Sequence, residues 1–465
     1  MSKSKLLEIV ETLKKGERDD LLIFAEMASN KLSEREREIL AYIFGKINAR
    51  HNINEEIIIQ KYLHKNEIDN WNRMKNQLLN MIVKFLLLQD IDGNSSRGNY
   101  LRCLYFSRQN LSKNYNASIK RGLSLNTKKG YINEQSLLFK YQLHELKVNE
   151  NKTVRRQDGN FDLMEEALDI FYLENKLRCL CERRNRKNII NTADLNSIFI
   201  HNVDTTINSI DAPGVNIYYN IFKMLSEENN DEYFQKVDKL VWENISYFDP
   251  EYSKAIITYL MNFCVYKVNK GLITYAPEYI KYIDVLYDKK HPFKESTMNH
   301  SRYKNAIYLA LLAKDVNLAN KILNKYRAYL APNLEVYIYN FNKAQIAFYE
   351  KEYKSALDCL NLFIPFDMYY NIACKKLLLK IHFQLISIGK YEIEKIIVSI
   401  ASMKKFIQIQ KNLTPDKKKQ VNLFLGALST VVNAKRNLKL EKLKGKINPM
   451  DYHWFEKISQ KNSIV

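Results

Sequence analysis

The sequence contains little glycine and proline, with 12 and 8 residues among 465. Together they make up under 5% of the chain (20 of 465), against about 12% in an average protein. β-Sandwiches, β-barrels and doubly wound sheets need frequent turns, and these two residues supply many of them. The shortage therefore argues against those folds and predicts an all-α protein of long helices joined by short loops. With 46% hydrophobic residues, the chain has enough apolar surface to fold.

Cysteines are few, and no apolar run is long. Among six scattered cysteines only Cys179 and Cys181 are close in sequence, and a C-x-C spacing directs two thiols to different sides of a helix. Without a C-x-x-C pair no zinc site is predicted, and scattered reduced thiols are typical of a cytoplasmic protein. No stretch approaches the roughly 18 apolar residues of a membrane-spanning helix. Residues 1–10 lack the apolar core of a secretory signal, so neither a membrane span nor a signal segment is expected.

Motifs for catalysis and cofactor binding are also missing. The chain has neither G-x-x-x-x-G-K-[ST] nor G-x-G-x-x-G, the glycine-rich loops that hold phosphates. It has no H-E-x-x-H zinc motif and no G-x-S-x-G nucleophile motif. We therefore predict a protein that is not an enzyme and that needs no cofactor. An enzyme whose active site is assembled from residues distant in sequence stays open, as a third hypothesis beside the two given at the end of this subsection.

Acidic residues are outnumbered, 52 against 72 Lys and Arg, and the formal net charge is +20. Residues 93–133 contain no acidic residue and eight basic ones, with tyrosines between them. This mixture is typical of surfaces where phosphates pair with cations and bases stack on aromatic rings. The alternative is that the tyrosines pack between repeats while the cations face water. The candidate contacts in this segment are Arg97, Arg102, Arg108 and Lys113.

A second basic region covers residues 401–465, which contain 13 Lys and one Arg but only four acidic residues. Lys435, Lys439, Lys442 and Lys446 follow a 4-3-4 spacing, which predicts one basic face on a helix. Such a face suits an acidic protein, nucleic acid or an anionic membrane surface, or it simply faces water. Because residues 204–251 are acidic, contact between acidic and basic ends is another alternative. The sequence leaves the oligomeric state open.

From residue 215 onward the sequence shows a repeated pattern that predicts paired helices. In each unit an anchor residue is followed three positions later by a small or apolar one. Ala319 and Ala356, which follow two of these anchors, are 37 positions apart, and Tyr353 and Tyr391 are 38 apart. A period of about 34–40 residues made of helix pairs is typical of helical-repeat proteins. The pairs are Phe234/Val237, Val316/Ala319 and Tyr353/Ala356, with Tyr391/Glu394 as a weaker fourth pair in which Glu394 takes the place of the small residue.

The clearest unit covers residues 339–365, with Ala344, Ala347 and Phe348 on its first helix and Tyr353 and Ala356 on its second. It resembles the tetratricopeptide (TPR) pattern. More broadly, residues 1 to about 440 resemble a group of uncharacterised bacterial TPR-like proteins, with the matching stretches at 168–186, 303–312 and 339–357. The resemblance implies an α-solenoid; it implies no reaction and no ligand.

Breaker clusters divide the chain into four predicted regions. These are an N-terminal helical unit (1–95), a basic helical region (96–202), TPR-like repeats (203–412) and a basic C-terminal helix with a tail (413–465). In the first region Ser33 and Glu36 form a predicted capping box at the start of a helix. In the last region Thr414 is the predicted N-cap and Pro415 the first helical residue, and the tail is expected to be loose from Asp451.

Two hypotheses follow for function. The first is a non-enzymatic scaffold whose concave surface binds a protein or peptide; its candidate contacts are Tyr219, Tyr259, Tyr308, Asn340 and Lys343. The second is sequence-independent binding of nucleic acid through residues 97–129 and the lysine-rich C-terminal helix, with Lys435, Lys439 and Lys442 as contacts.

Overall fold

Helices make up all the secondary structure longer than a single bridge in the part of the chain that this computed structural model describes. One isolated parallel bridge, between Ile132 and Phe248, is the exception. The prediction of an all-α protein is confirmed for these residues. The described residues are 4–27, 32–49, 51, 53–63, 68–91, 96–125, 127–128, 132–150, 159–187, 207, 210–227, 230–287, 295–387, 389, 392–411, 413–433 and 438–462.

The chain divides into two units, Met1–Asn126 with Leu138–Met164, and Thr127–Leu137 with Glu165–Val465. The four-region division made from the sequence stays a prediction. The first nine helices are α1 (Lys5–Thr12), α2 (Lys15–Glu26), α3 (Glu34–Asn48), α4 (Glu55–Tyr62), α5 (Ile68–Asp90), α6 (Ser96–Arg108), α7 (Ser112–Leu125), α8 (Glu134–Glu150) and α9 (Gly159–Lys187). The residues of α8 and α9 are divided between the two units.

The first unit packs its amphipathic helices around α5. Trp71, Leu78 and Phe85 of α5 are buried in a core to which α1 to α4 also contribute. Helix α3 begins with the capping box expected from its sequence, because Ser33 accepts from the Glu36 backbone N–H and the Glu36 side chain accepts from the Ser33 backbone N–H. Helices α6 and α7 pack on each other around a separate small core.

The second unit contains the remaining helices and three short 3₁₀ turns. The helices are α10 (Pro213–Ser226), α11 (Glu232–Asn244), α12 (Pro250–Asn269), α13 (Ala276–Tyr287), α14 (His300–Leu312), α15 (Val316–Lys325), α16 (Glu335–Tyr349), α17 (Tyr353–Asn361), α18 (Met368–Ile386), α19 (Ile393–Ile409), α20 (Pro415–Val432) and α21 (Pro449–Asn462). The 3₁₀ turns are Ile273–Tyr275, Arg327–Tyr329 and Leu440–Lys442.

Consecutive helices of this unit pack in pairs, namely α10 with α11, α12 with α13, α14 with α15 and α16 with α17. First helices of successive pairs also touch, α14 with α16 and α16 with α18. The predicted anchors Val316 and Tyr353 begin α15 and α17, and the small residues Ala319 and Ala356 that follow them are fully buried. Small side chains at these positions let neighbouring helices approach closely.

Polar N-cap side chains, and lysines in the left-handed backbone conformation at turns, explain why these helices need so little glycine. Asp249, Asn299 and Asp367 each cap a helix by accepting from its first backbone N–H groups. Lys314 and Lys351, at φ of 62° and 69°, take the turn positions where glycine is more common. Short connections therefore form from side-chain caps and strained non-glycine turns.

The C-terminal region differs from the prediction in two ways. Helix α20 starts at Pro415 behind the Thr414 cap as expected, but it ends at Val432, so the continuous lysine face proposed for residues 435–446 is wrong. Lys439 and Lys442 lie in or beside a 3₁₀ turn, and Lys435 is outside the described residues. The helix ends early because Leu443 and Ile447 turn back into the core around α18 to α20.

The loose tail expected from Asp451 is also wrong. Residues 449–462 form α21, and Trp454, Phe455 and Ile458 are buried in the core shared with α18 to α20. Their 3–4 spacing gives this helix one apolar face, and burial of that face orders it. No helix among the described residues is both long enough and apolar enough to cross a membrane.

Candidate functional site

Helix α21 lies across four helices of the second unit. Tyr308 of α14 donates to Asn448, immediately before α21, at 3.0 Å. The Lys457 ammonium lies 5.7 Å from the ring centre of Tyr349 on α16. Trp454 packs on Phe383 of α18 and Phe424 of α20. The first helices of successive pairs, together with α20, therefore form one surface that holds the last helix of the chain.

A buried carboxylate joins α21 to α18. Lys376 and Lys380 are four residues apart, so both point from the same face of α18. Asp451, in the first turn of α21, forms ion pairs with both ammonium groups. Its side chain is only 5% exposed, against 17% for Lys376 and 10% for Lys380. Burial removes most of the water that weakens surface ion pairs.

Two further lysines approach the same place from other helices. Lys304 of α14 lies over the ring of Tyr370 at 4.9 Å, and Lys417 of α20 donates to Gln420 at 2.7 Å. Among the described residues, no carboxylate lies within ion-pair distance of either. We call Lys304, Lys376, Lys380 and Lys417 the lysine cluster.

Burial and neighbouring charges shift the pKa values of these groups. Burial, with added repulsion from Lys376 and Lys304, lowers the pKa of Lys417 to about 8. Burial also lowers the pKa of Lys304 and of Lys380. For Asp451, burial alone would raise the pKa, but the charges of Lys376 and Lys380 outweigh it and lower the pKa to about 2. Four lysines thus face a single ion-paired carboxylate, and the excess positive charge favours an anion.

Aromatic rings line this cluster and replace part of the missing hydration. The Lys376 ammonium lies 4.5 Å from the centre of the Phe424 ring, and Lys380 lies 5.6 Å from Trp454. Cations over aromatic faces are stabilised by the ring quadrupole. The rings therefore help α18 and α20 to hold ammonium groups at positions that are largely shielded from water.

The structure places the five predicted scaffold contacts in different settings. Tyr308 borders the lysine cluster one helical turn after Lys304. Tyr259 is buried and donates to Glu182 at 3.0 Å, so it is already engaged inside the unit. Tyr219 is half-buried beside Lys223. Asn340 donates to the Val336 carbonyl, and Lys343 on the same helix α16 is exposed.

The basic segment of the first unit spans two packed helices. Arg97, Arg102 and Arg108 lie on α6 and Lys113 lies on α7, and all four are exposed. Tyr115, one of the interleaved aromatic residues, is only 3% exposed and packs with Cys103 in the small core of α6 and α7. The segment therefore presents cations at its surface, while this tyrosine serves packing rather than base stacking.

Sequence reasoning missed the lysine cluster and Asp451. One signal was present, because Lys376 and Lys380 interrupt the apolar sequence of α18, and a lysine pair in an otherwise buried helix usually has a partner. Lys304, Lys417 and Asp451 carry no such signal, since each is an ordinary surface-type residue until the helices meet.

A polar cleft opens beside α14 on another side. Arg302 pairs with both oxygens of Glu295 at 2.7 Å and donates to Thr258 at 2.8 Å. Asn262 and Asn305 also line it. Every charged group named here is paired, so the cleft offers hydrogen-bonding groups and no excess charge.

The described residues contain no group of three or more His, Cys, Asp or Glu side chains arranged to hold a metal ion. All six cysteines are free thiols, and five of them are buried. Cys181 is buried and Cys179 exposed on the same helix, as the C-x-C spacing predicts. Comparisons of the chain with protein families, curated proteins and solved structures find no match.

Proposed function

We propose that this chain is a non-enzymatic helical-repeat scaffold that binds an acidic segment of a protein or peptide partner. In this proposal the helix pairs from α10 onward form a TPR-like α-solenoid. The observation that carries it is the lysine cluster, in which Lys304 and Lys417 lack a carboxylate partner among the described residues on a surface that already binds a helix. Helical-repeat proteins offer such extended surfaces because each repeat contacts only its neighbours.

The docking of α21 supports this proposal by analogy within the chain. One carboxylate, Asp451, meets two lysines, while Trp454 and Phe455 supply apolar contacts. An amphipathic segment that binds through regularly spaced anchors is a common mode of recognition. A partner segment with an acidic residue beside apolar ones matches the same chemistry, and Lys304 and Lys417 are the cations left for it.

Site-specific photo-crosslinking tests the proposal on the full chain. Tyr369 is 43% exposed and shares the α18 face of Lys376 and Lys380, so p-benzoylphenylalanine placed there reports on this surface. The matched control carries the same probe at Tyr172 on α9, which is 50% exposed. We expect one identified protein to be captured from Tyr369 and not from Tyr172, and its capture to disappear when Lys304 and Lys417 are changed to Glu. Equal capture from both positions, or capture that survives the charge reversal, would contradict the proposal.

The exposed cations of α6 and α7 favour nucleic-acid binding as a second candidate function. Four basic side chains face solvent on these two packed helices, and residues 93–133 contain no acidic residue. Removing one lysine or arginine that binds a phosphate should reduce the salt dependence of binding by about one unit of slope. We expect the double change Arg108→Glu with Lys113→Glu to weaken binding of single-stranded oligonucleotide and to flatten its salt slope. Lys5→Glu with Lys15→Glu is the charge-matched control, and identical effects of the two pairs would exclude a specific site.

A further inference from the structure

We propose that Lys304, Lys376 and Lys417 bind a phosphate group carried by a side chain of the partner, of the phosphoserine or phosphothreonine class. This inference rests on the proposed function, because it specifies the chemistry of the acidic partner segment. The three lysines come from α14, α18 and α20. Two of them reach across to a neighbouring helix, because Lys304 lies over the ring of Tyr370 on α18 at 4.9 Å and Lys376 over the ring of Phe424 on α20 at 4.5 Å.

The charges around this place do not balance within the chain. Asp451 is fully engaged by Lys376 and Lys380. Asp367 also acts on Lys304 through its charge, but its carboxylate caps α18 by accepting from the Tyr370 backbone N–H at 2.7 Å. Lys417 is repelled by both Lys376 and Lys304, and Asp451, which attracts Lys417, is already ion-paired with two other lysines. A group with a double negative charge would relieve this repulsion, and bringing such charges together without one costs free energy.

Phosphate suits these side chains better than carboxylate does. A phosphorylated side chain carries about −1.5 to −2 charges at neutral pH and three acceptor oxygens. Lysine binds phosphate as a point charge with three N–H donors. The three proposed ligands carry three ammonium groups, one for each terminal oxygen of a phosphate, whereas a carboxylate offers two oxygens and a single charge.

The partial burial of the site sets its selectivity. Lys376 is 17% exposed, and Lys304 is also only partly accessible. A terminal phosphate on a flexible side chain can reach partly buried ammonium groups, while the phosphodiester of a nucleic-acid backbone is flanked by sugars on both sides. We therefore argue for a phosphorylated protein segment over a nucleic acid.

Calorimetric titration of the full chain tests the site. The probes are inorganic phosphate, phosphoserine within a short peptide, the same peptide with unmodified serine, and acetate, all at constant ionic strength. We expect saturable binding at one site for inorganic phosphate and for the phosphopeptide, with acetate and the unmodified peptide at least tenfold weaker. Lys304→Gln and Lys417→Gln should each weaken phosphate binding at least tenfold. Lys419→Gln, an exposed change on the same helix α20, should leave it unchanged.

Several results would overturn the inference. These are the absence of saturable phosphate binding, equal binding of acetate, and unchanged binding in both Gln variants. Lys417→Arg keeps the charge, so it should retain most of the affinity if Lys417→Gln loses affinity through charge rather than through misfolding. Displacement of phosphate by a single-stranded oligonucleotide would assign the site to nucleic acid instead. If phosphate binds but crosslinking from Tyr369 captures no protein, the proposed function fails while the anion site stands.

Discussion

Asp451 accepts a hydrogen bond from the Lys380 ammonium, and this buried ion pair fixes α21 on α18. The two side chains are 5% and 10% exposed, so water does little to screen them. Asp451 also lies in the first turn of its helix, where a negative charge is favoured by the exposed backbone N–H groups. One carboxylate thus stabilises the start of α21 and offsets part of the positive charge of α18.

We predict that Asp451→Asn destabilises the protein by about 3–5 kcal/mol, the usual cost of removing one partner of a buried ion pair. The amide keeps the shape of the side chain but leaves Lys376 and Lys380 without a counter-charge. Urea unfolding followed by circular dichroism measures the change. Asp416→Asn, an exposed acidic position in the first turn of α20, is the control. If both variants lose the same small amount of stability, the ion pair does not anchor α21.

Because of Asp451, part of the free energy of unfolding should be lost in acid. The pKa of Asp451 is lowered to about 2 in the folded chain, against about 3.9 when unfolded. A carboxyl group with a lowered folded pKa adds stability that is complete above about pH 4 and is lost as the pH falls towards 2. The stability difference between the native chain and Asp451→Asn should therefore shrink over that interval. A difference that stays constant from pH 5 to pH 2.5 would contradict this assignment.

The aromatic face of α21 gives a prediction on packing. Phe455 is fully buried and lies 5.5 Å from Phe424, measured between ring centres. Phe455→Ala should lower the free energy of unfolding by about 3–5 kcal/mol, because it removes buried apolar surface and leaves a cavity. His453→Ala, exposed on the same helix, should change it by less than about 0.5 kcal/mol. Limited proteolysis should then cut α21 faster in the Phe455 variant alone.

A buried carboxyl on α9 predicts the opposite response to pH. Glu174 accepts from the Tyr252 hydroxyl at 2.5 Å, yet burial raises the pKa of Glu174 to about 7. Because the folded chain then holds the proton more tightly, stability falls as the pH rises from about 4.5 to 7. Glu174→Gln should remove that fall, a difference of at most about 3 kcal/mol at pH 8. Exposed Glu166→Gln is the control, and a slope unchanged in Glu174→Gln would contradict the assignment.

Two glycines should respond in opposite directions to alanine. A methyl group added at Gly214 would overlap the Glu174 carboxylate and come within 2.8 Å of the Tyr252 hydroxyl, so Gly214→Ala should destabilise by about 1–3 kcal/mol. Gly426 lies inside α20 with nothing within 4 Å of the added atom. Gly426→Ala should stabilise by up to about 1 kcal/mol through helix propensity. Thermal unfolding of both variants checks the pair, and a loss of stability in Gly426→Ala would contradict it.

Local sequence patterns correctly predicted where several helices begin. The Ser33/Glu36 capping box begins α3, and the Thr414–Pro415 signal begins α20. These succeed because caps and amphipathic faces depend on residues within one or two turns. The end of α20 and the existence of α21 were not anticipated, because both depend on the packing of Leu443, Trp454 and Phe455 against helices distant in sequence.

The candidate site shows even more clearly what local sequence can predict and what depends on tertiary packing. Composition and spacing determined that this is an all-α chain with uneven positive charge and paired helices, since those properties are local or additive along the sequence. Only the tertiary structure brought Lys304, Lys376, Lys417 and Asp451 together, because they lie on four helices whose mutual positions are set by core packing. Charge counted along the chain pointed to residues 97–129 and 435–442. Charge that is both buried and incompletely neutralised arises where α14, α18, α20 and α21 converge.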